Sequence, residues 1–209
     1  MLAGQEFCME KIRIAVLVSG GGTNLQALID AEKNGIIKSG TIALVISNNA
    51  SAYALRRAED AGIESCTVLK KELGSQKAFE EKLIEELESH GTGLIILAGF
   101  MSILSKDFTD RYDHRIINVH PSLIPSFCGE GFYGLRVHEA ALKKGVKVSG
   151  ATVHFVNEIP DGGEIIDQKA VYVEEGDTPE ILQKRIMEQA EWIILPKAAE
   201  KVCANLAGS

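Results

Sequence analysis

The chain has 209 residues, 45% of them hydrophobic and 24% charged, with a formal net charge of −7. That length holds one domain with a sizeable core, and the composition is that of an ordinary globular protein. The negative charge excludes a general nucleic-acid or anionic-membrane surface, and no apolar run approaches the ~20 residues of a membrane span.

The opening stretch, MLAGQEFCMEK, carries acids and lacks an apolar core of signal-peptide length. Residues 1–10 are therefore expected to be a disordered lead, with Met9 an alternative start, and the protein is expected to be cytoplasmic. KIRIAVLV (Lys11–Val18), TIALVIS (Thr41–Ser47) and GLIILA (Gly93–Ala98) are near-continuous apolar strands, the kind that a sheet covered on both faces requires. ESCTVL near Glu64 and RIINV at Arg115 are shorter strands of the same kind.

Amphipathic stretches alternate with them. TNLQALIDAEKNG runs to a stop at Gly35, and SAYALRRAEDAG has Ser51 as its N-cap and Gly62 beyond its end. SQKAFEEKLIEELESHG puts Phe79, Leu83, Ile84 and Leu87 on one face. After Gly145 the texture changes to alternating VSGATVHFV and EIIDQKAVYV, which predict antiparallel strands at one edge. A last helix is capped by Thr178 and Pro179 and should kink or break at Pro196. The order predicts an α/β fold, a doubly wound and mostly parallel sheet with antiparallel edge strands, in a single domain over residues 11–209.

Cys8, Cys66, Cys128 and Cys203 are far apart and form no C-x-x-C pair, so they read as scattered reduced thiols. Cys128, beside glycines in a loop, is the one to watch for reactivity.

Two junctions carry chemistry. In VLVSGGGTNLQAL the first strand meets the first helix through glycines, which allow close backbone approach to a ligand, and the helix N-terminus offers free N–H groups. An anion is expected over Gly20, Gly21, Gly22, Thr23 and Asn24; a ligand-free tight turn is the alternative. Leu25 stands where a dinucleotide fingerprint wants its last glycine, and strand two ends in Ser47, Asn48 and Asn49 without an acid, so a phosphate monoester fits better.

The second junction is IINVHPSLIP. Alternate strand residues share a face, so Asn118 and His120 point together, and Pro121 stops the strand at once. Ligands of doubly wound sheets bind outside the carboxyl ends of the strands. A histidine satisfied by local hydrogen bonds is the alternative. HFVNEIPDGGEI adds His154 and Asp161, although Asp-Gly-Gly also suits a plain turn and His154 a half-buried structural position. His120, His154 and Asp161 lack a diagnostic metal spacing. His90 reads as a helix-end residue, His114 as surface, and His138 as an N-cap neighbour or pocket wall.

SGGGTNLQAL, LAGFMSILS, INVHPSLIP and GATVHFVNEIPDGGEII together resemble the folate-dependent phosphoribosylglycinamide formyltransferase family, in order, from about Ile12 to the last helix. The resemblance implies a Rossmann-like formyltransferase fold and formyl transfer from 10-formyltetrahydrofolate to the amine of glycinamide ribonucleotide, in purine synthesis, by a monomer or homodimer without a metal. It implies Asn118, His120 and Asp161 as the catalytic group and Gly20–Asn24 as the substrate-phosphate site. Met101, Ile103 and Leu104 match the segment lining the folate pocket, with Ser102 and Asn118 beside it, and Glu191 with Glu188 matches the helix that contacts the substrate ribose. Asn118 and His120 would donate to the oxyanion, and Asp161 would raise the pKa of His120 and move the proton from the attacking to the leaving nitrogen.

Two departures stand out. Ser102 replaces a common arginine. The usual short stretch after His-Pro-Ser is here the longer SFCGEGFYGLRVH, with Arg136 where a histidine is common. Both are expected to tune folate binding rather than chemistry. A formyltetrahydrofolate hydrolase shares this catalytic group but usually carries a regulatory domain and a His-His-Ser segment; this chain reads His120-Pro121-Ser122. A methionyl-tRNA formyltransferase adds a tRNA domain for which there is no room, and a non-catalytic phosphometabolite-binding module would have no need of the catalytic group.

Overall fold

Alternation of apolar strands with one-sided helices builds a layered structure, seen here in a computed structural model that describes residues 10–208. The expected lead thus lies outside the described residues, except for an exposed Glu10. Seven strands form one sheet: β1 (Ile12–Val18), β2 (Gly40–Ser47), β3 (Ser65–Thr67), β4 (Leu94–Leu97), β5 (Ile116–His120), β6 (Val148–Phe155) and β7 (Ile165–Tyr172). Their order is β3-β2-β1-β4-β5-β6-β7. The first five strands pair in parallel, and β6 pairs antiparallel with both β5 and β7.

The helices are α1 (Thr23–Lys33), α2 (Tyr53–Asp60), α3 (Lys70–Leu73), α4 (Gln76–Ser89), α5 (Lys106–Arg111), α6 (Leu135–Lys144), α7 (Pro179–Ile186) and α8 (Trp192–Ala207). The period of two along β1 divides the core. Ile14, Val16 and Val18 join the helices that carry Leu25, Leu28, Leu182 and Leu195. Ala15 and Leu17 face Phe79, Leu83 and Leu87 of α4 and Phe108 of α5. Both faces of the sheet are covered, which is why β1 and β4 contain almost no polar residue.

Most helix signals sit where the sequence puts them. Ser75 and Thr178 cap α4 and α7 by accepting from Ala78 and Ile181 N–H. The expected Ser51 cap is a correction: α2 starts after Ala52 without a side-chain cap, and Ser51 Oγ instead bonds Asn49 Oδ1 at 2.9 Å. Pro196 lies inside α8 without breaking it, and the irregularity is a π turn at Met187–Glu191 just ahead of that helix. Helix α6, between Gly134 and Gly145, is an addition that the texture of the lengthened loop concealed.

The switch in strand order falls between β1, which leads leftwards to β2, and β4, which leads rightwards to β5. A crevice opens there at the carboxyl ends of the strands.

Candidate active site

The glycine turn leaves β1 at Val18 and enters α1 at Thr23. Its glycines do different work. A Cβ on Gly20 or Gly21 would meet nothing within 4 Å, so the space beside them is open. Gly22 has φ +70°, and a Cβ there would lie 2.6 Å from Ala54 Cβ, so it is required by packing against α2. Ser19 Oγ accepts from Met101 N–H at 2.8 Å, joining this turn to the segment after β4.

Asn24, at the start of α1, donates Nδ2–H to Glu191 Oε2 at 2.7 Å. Its Oδ1 is buried with no partner among the described residues. Burial pushes the Glu191 carboxyl up to about 7, against the opposing effect of the Asn24 hydrogen bond. Glu188 is not drawn into this pair; it is exposed, and its carboxylate lies 3.8 Å from Lys184 Nζ.

After β4 the chain is tied down by a buried acid. Glu80 of α4 accepts from Ser105 N–H at 2.6 Å and from Ser105 Oγ at 2.5 Å. Between Ser19 and Ser105 the segment forms one wall of a 140 Å³ cleft, with Leu97, Phe100, Ser102, Ile103 and Leu104 facing Val156–Asp161 and the polar edges of Asn118 and His154. Met101 is not part of that wall, and the residue is 57% exposed. Ser102 Oγ accepts from Asn48 Nδ2 at 2.8 Å.

Asn118 and His120 do project together from the end of β5, one half-buried and one 4% exposed. Cross-strand pairing sets His154 of β6 opposite Asn118. Asn118 Nδ2 and His154 Nε2 are 3.2 Å apart, while His154 Nδ1 donates to Phe155 O at 2.7 Å. The second contact puts a hydrogen on Nδ1, so in the neutral ring Nε2 accepts from Asn118 and fixes the direction of its amide.

Asp161 closes the group. Its Oδ2 lies 3.4 Å from His120 Nδ1 and its Oδ1 3.5 Å from His154 Nε2. It occupies the left-handed region at φ 56°. The glycines after it are a matter of space, since a Cβ on Gly163 would lie 1.8 Å from Phe155 O. Asp-Gly-Gly is thus a tight packing of the β6–β7 connection that aims a carboxylate. Neighbouring histidines and the Gly129 N–H hold the Asp161 pKa below the usual carboxylate value, although burial opposes them.

The lengthened loop touches this group rather than the cleft. His120 Nε2 donates to Phe127 O at 2.8 Å, and Gly129 N–H donates to Asp161 Oδ2 at 2.8 Å. Because a carbonyl only accepts, His120 carries its hydrogen on Nε2, and Nδ1 donates to Asp161 only when the ring is cationic. Asp161 pulls the His120 pKa up, as expected, but does not set the net shift. Burial is the larger effect and lowers it. Cys128, expected to be reactive, has its pKa raised by burial and by Asp161, which reduces its thiolate fraction. Cys66, Cys128 and Cys203 are free thiols.

Residues that sequence reasoning did not place in the group are His154 as orienter, Phe127 O, Gly129 N–H, and His138. The last is fully buried, with both ring nitrogens unpartnered among the described residues, and burial pushes its pKa down to about 4. The register of β5 against β6 was the available signal for His154; the loop contacts involve backbone atoms and had none. Among the described residues there is no group of three or more His, Cys, Asp or Glu arranged to hold a metal, and no helix long and apolar enough to cross a membrane.

Comparison with known proteins finds formyl transferases. The formyl transferase family matches residues 12–198. A phosphoribosylglycinamide formyltransferase of Escherichia coli is 42% identical over 85% of the chain and 81% of its own length. The trifunctional purine biosynthetic protein adenosine-3 of Gallus gallus is 44% identical over 93% of the chain, which spans 19% of that longer protein. The crystal structure of glycinamide ribonucleotide transformylase 1 from Symbiobacterium toebii superposes with a TM-score of 0.87 at 43% identity, covering 93% of this chain and 89% of that one.

Proposed function

This chain belongs to the formyl transferase family, and we propose that it transfers the formyl group of 10-formyltetrahydrofolate to the amine of glycinamide ribonucleotide, in purine synthesis and in the cytoplasm. The observation that carries the reading is the meeting of Asn118, His120 and Asp161 beside an apolar cleft, with the glycine turn at the carboxyl end of β1 in the same sheet. All of these come from one chain, within a domain taken to span residues 11–209, so a monomer or a homodimer would hold the site.

The residues suit both substrates. Leu97, Phe100, Ile103, Leu104 and Val156 offer apolar faces to a flat heterocycle, with polar groups at the cleft's inner edge. The open space beside Gly20 and Gly21, at a helix N-terminus, suits a phosphate monoester. The unpartnered Asn24 Oδ1 and the buried Glu191 carboxyl beside it suit the hydroxyls of a ribose.

The amine attacks the formyl carbon, and negative charge develops on the formyl oxygen. Asn118 donates an amide N–H to that oxygen, its orientation held by His154. His120 donates its Nε2–H, for which the formyl oxygen replaces Phe127 O as acceptor. Donors already fixed where charge develops are the largest catalytic term for such a reaction. The incoming nitrogen gives up a proton and the departing folate nitrogen gains one; Asp161 carries it, directly or through one water. No side chain becomes covalent.

The test mixes purified protein with glycinamide ribonucleotide and 10-formyltetrahydrofolate. Formylated ribonucleotide in step with loss of formyl folate supports the reading. Formate release at the same rate without the amine would instead make the protein a hydrolase. Binding of both ligands without turnover would leave only a binding module.

A further inference from the structure

The carbonyls of the glycine turn point in one direction for a definable reason. Ser19 O accepts from Asn49 Nδ2 at 3.1 Å, Gly20 O from Ala54 N–H at 3.1 Å, and Gly21 O from Arg57 Nε at 2.9 Å. All three donors follow β2, in α2 and the connection leading to it. In a trans peptide the N–H points opposite to the C=O of the same unit. The three bonds therefore turn the N–H groups of Gly20, Gly21 and Gly22 away from α2. A row of amides facing one way is an anion cradle.

Arg57 is the charged member of the set. Its Nη1 donates to Gln26 Oε1 at 3.0 Å, so the guanidinium bridges the turn to the first helical turn of α1. Its Cζ lies 5.1 Å above the Tyr53 ring, which restrains the side chain from the other side. The side chain is half-buried. A guanidinium held by a carbonyl, an amide oxygen and an aromatic face is fixed in direction as well as in charge.

We propose that Arg57 is a positioning residue for the substrate phosphate, and that it gives the enzyme its preference for a phosphorylated amine over the same amine without phosphate. It acts by drawing Gly21 O towards α2, which aims Gly22 N–H at the phosphate, and by placing a positive charge on the far side of that peptide. It makes no direct contact with the reacting atoms. This rests on the formyl-transfer reading above.

The experiment compares wild type, Arg57→Met and Arg57→Lys with glycinamide ribonucleotide and with its dephosphorylated ribonucleoside, both alongside 10-formyltetrahydrofolate. In Arg57→Met the KM for the nucleotide should rise about tenfold, the loss of one charge-assisted interaction. The kcat and folate KM should stay within about threefold of wild type. Turnover of the ribonucleoside should not change, so the nucleotide-to-nucleoside ratio of kcat/KM falls by the same factor. Arg57→Lys keeps the charge and one donor and should recover part of that ratio. Equal losses for both amines would mean that Arg57 only supports the fold, and an unchanged nucleotide KM would also overturn the proposal. Should Arg57→Met not fold, the Lys variant decides through the same ratio. Wild type that transfers no formyl group to either amine would sink the functional reading itself, a separate failure.

Discussion

Asp161 Oδ2 lies 3.4 Å from His120 Nδ1, yet burial leaves the imidazole easier to deprotonate than it is in water. Attraction to a carboxylate and loss of solvent act on one ring in opposite directions, and the second is larger. The sign can be measured. Following the ring proton by NMR, the His120 titration midpoint should fall below the ordinary 6.5 in wild type. Asp161→Asn removes the attraction and should lower it further. A ring that titrates lower when folded also weakens the fold as pH falls below the unfolded value. Formyl transfer in Asp161→Asn should drop by a factor on the order of 10²–10³ while both substrates still bind. A wild-type midpoint above 6.5 would mean that attraction to Asp161 outweighs burial, and a mutant within a few-fold of normal turnover would remove Asp161 from the proposed proton path.

The lengthened loop gives the second expectation, and it reverses the sequence reading. No residue of 126–135 lines the apolar cleft, whereas Phe127 O and Gly129 N–H bond His120 and Asp161. Deleting Gly129–Tyr133 should therefore lower saturated turnover by at least about tenfold, the scale of one lost positioning hydrogen bond to a charged group. The folate KM should move much less. A variant with normal kcat and a strongly raised folate KM would return the loop to a role in folate binding.

The glycines of the turn separate into two classes by variant. Gly22→Ala forces a Cβ to within 2.6 Å of Ala54 at a positive φ, so it should destabilise the fold by roughly 1–3 kcal/mol in denaturant titration. Gly21→Val has free space on the protein side and should fold with stability within about 1 kcal/mol of wild type. It should weaken nucleotide binding more than tenfold by calorimetry and leave folate binding nearly unchanged. Equal losses for both ligands would contradict the division of the site.

The contrast between the elements read from sequence and those missed follows from what each one depends on. β1, β4 and α4 declare themselves because burial on both faces, or on one helical face, writes a period into residue type. The direction shared by Asn118 and His120 follows from strand alternation alone. The orientation of the Asn118 amide depends on its partner across β6, and the tautomer of His120 on a carbonyl seven residues along the chain, so neither leaves a local pattern. Glu188 and Glu191 match the same family segment but differ in burial, because the π turn between α7 and α8 sends one outward and the other in. The sequence has no signal for that extra turn beyond Pro196, which suggested a break in the wrong place.

Glu191 supplies the last expectation. A carboxyl lifted to about 7 by burial changes charge around neutral pH, and it sits against Asn24 of the phosphate turn. Its folded pKa lies above its unfolded value, so the folded chain binds the extra proton. The stability from that proton is complete below about 4.5 and is lost as pH rises to about 7. The shift corresponds to a change on the order of 3 kcal/mol. Glu191→Gln keeps the shape and the acceptor for Asn24 but cannot ionise. The variant should therefore lose less stability than wild type between pH 5 and 8. Binding should follow the same logic. Ionised Glu191 adds a buried negative charge to a site that must also take an anionic nucleotide, so wild-type affinity for glycinamide ribonucleotide should weaken as pH rises from about 6.5 to 8. The second ionisation of the phosphate, near 6, is largely complete over that range. Calorimetry on Glu191→Gln should show affinity that varies by less than about twofold across it. Should the variant keep the wild-type slope in both stability and affinity, the group titrating near 7 is not Glu191.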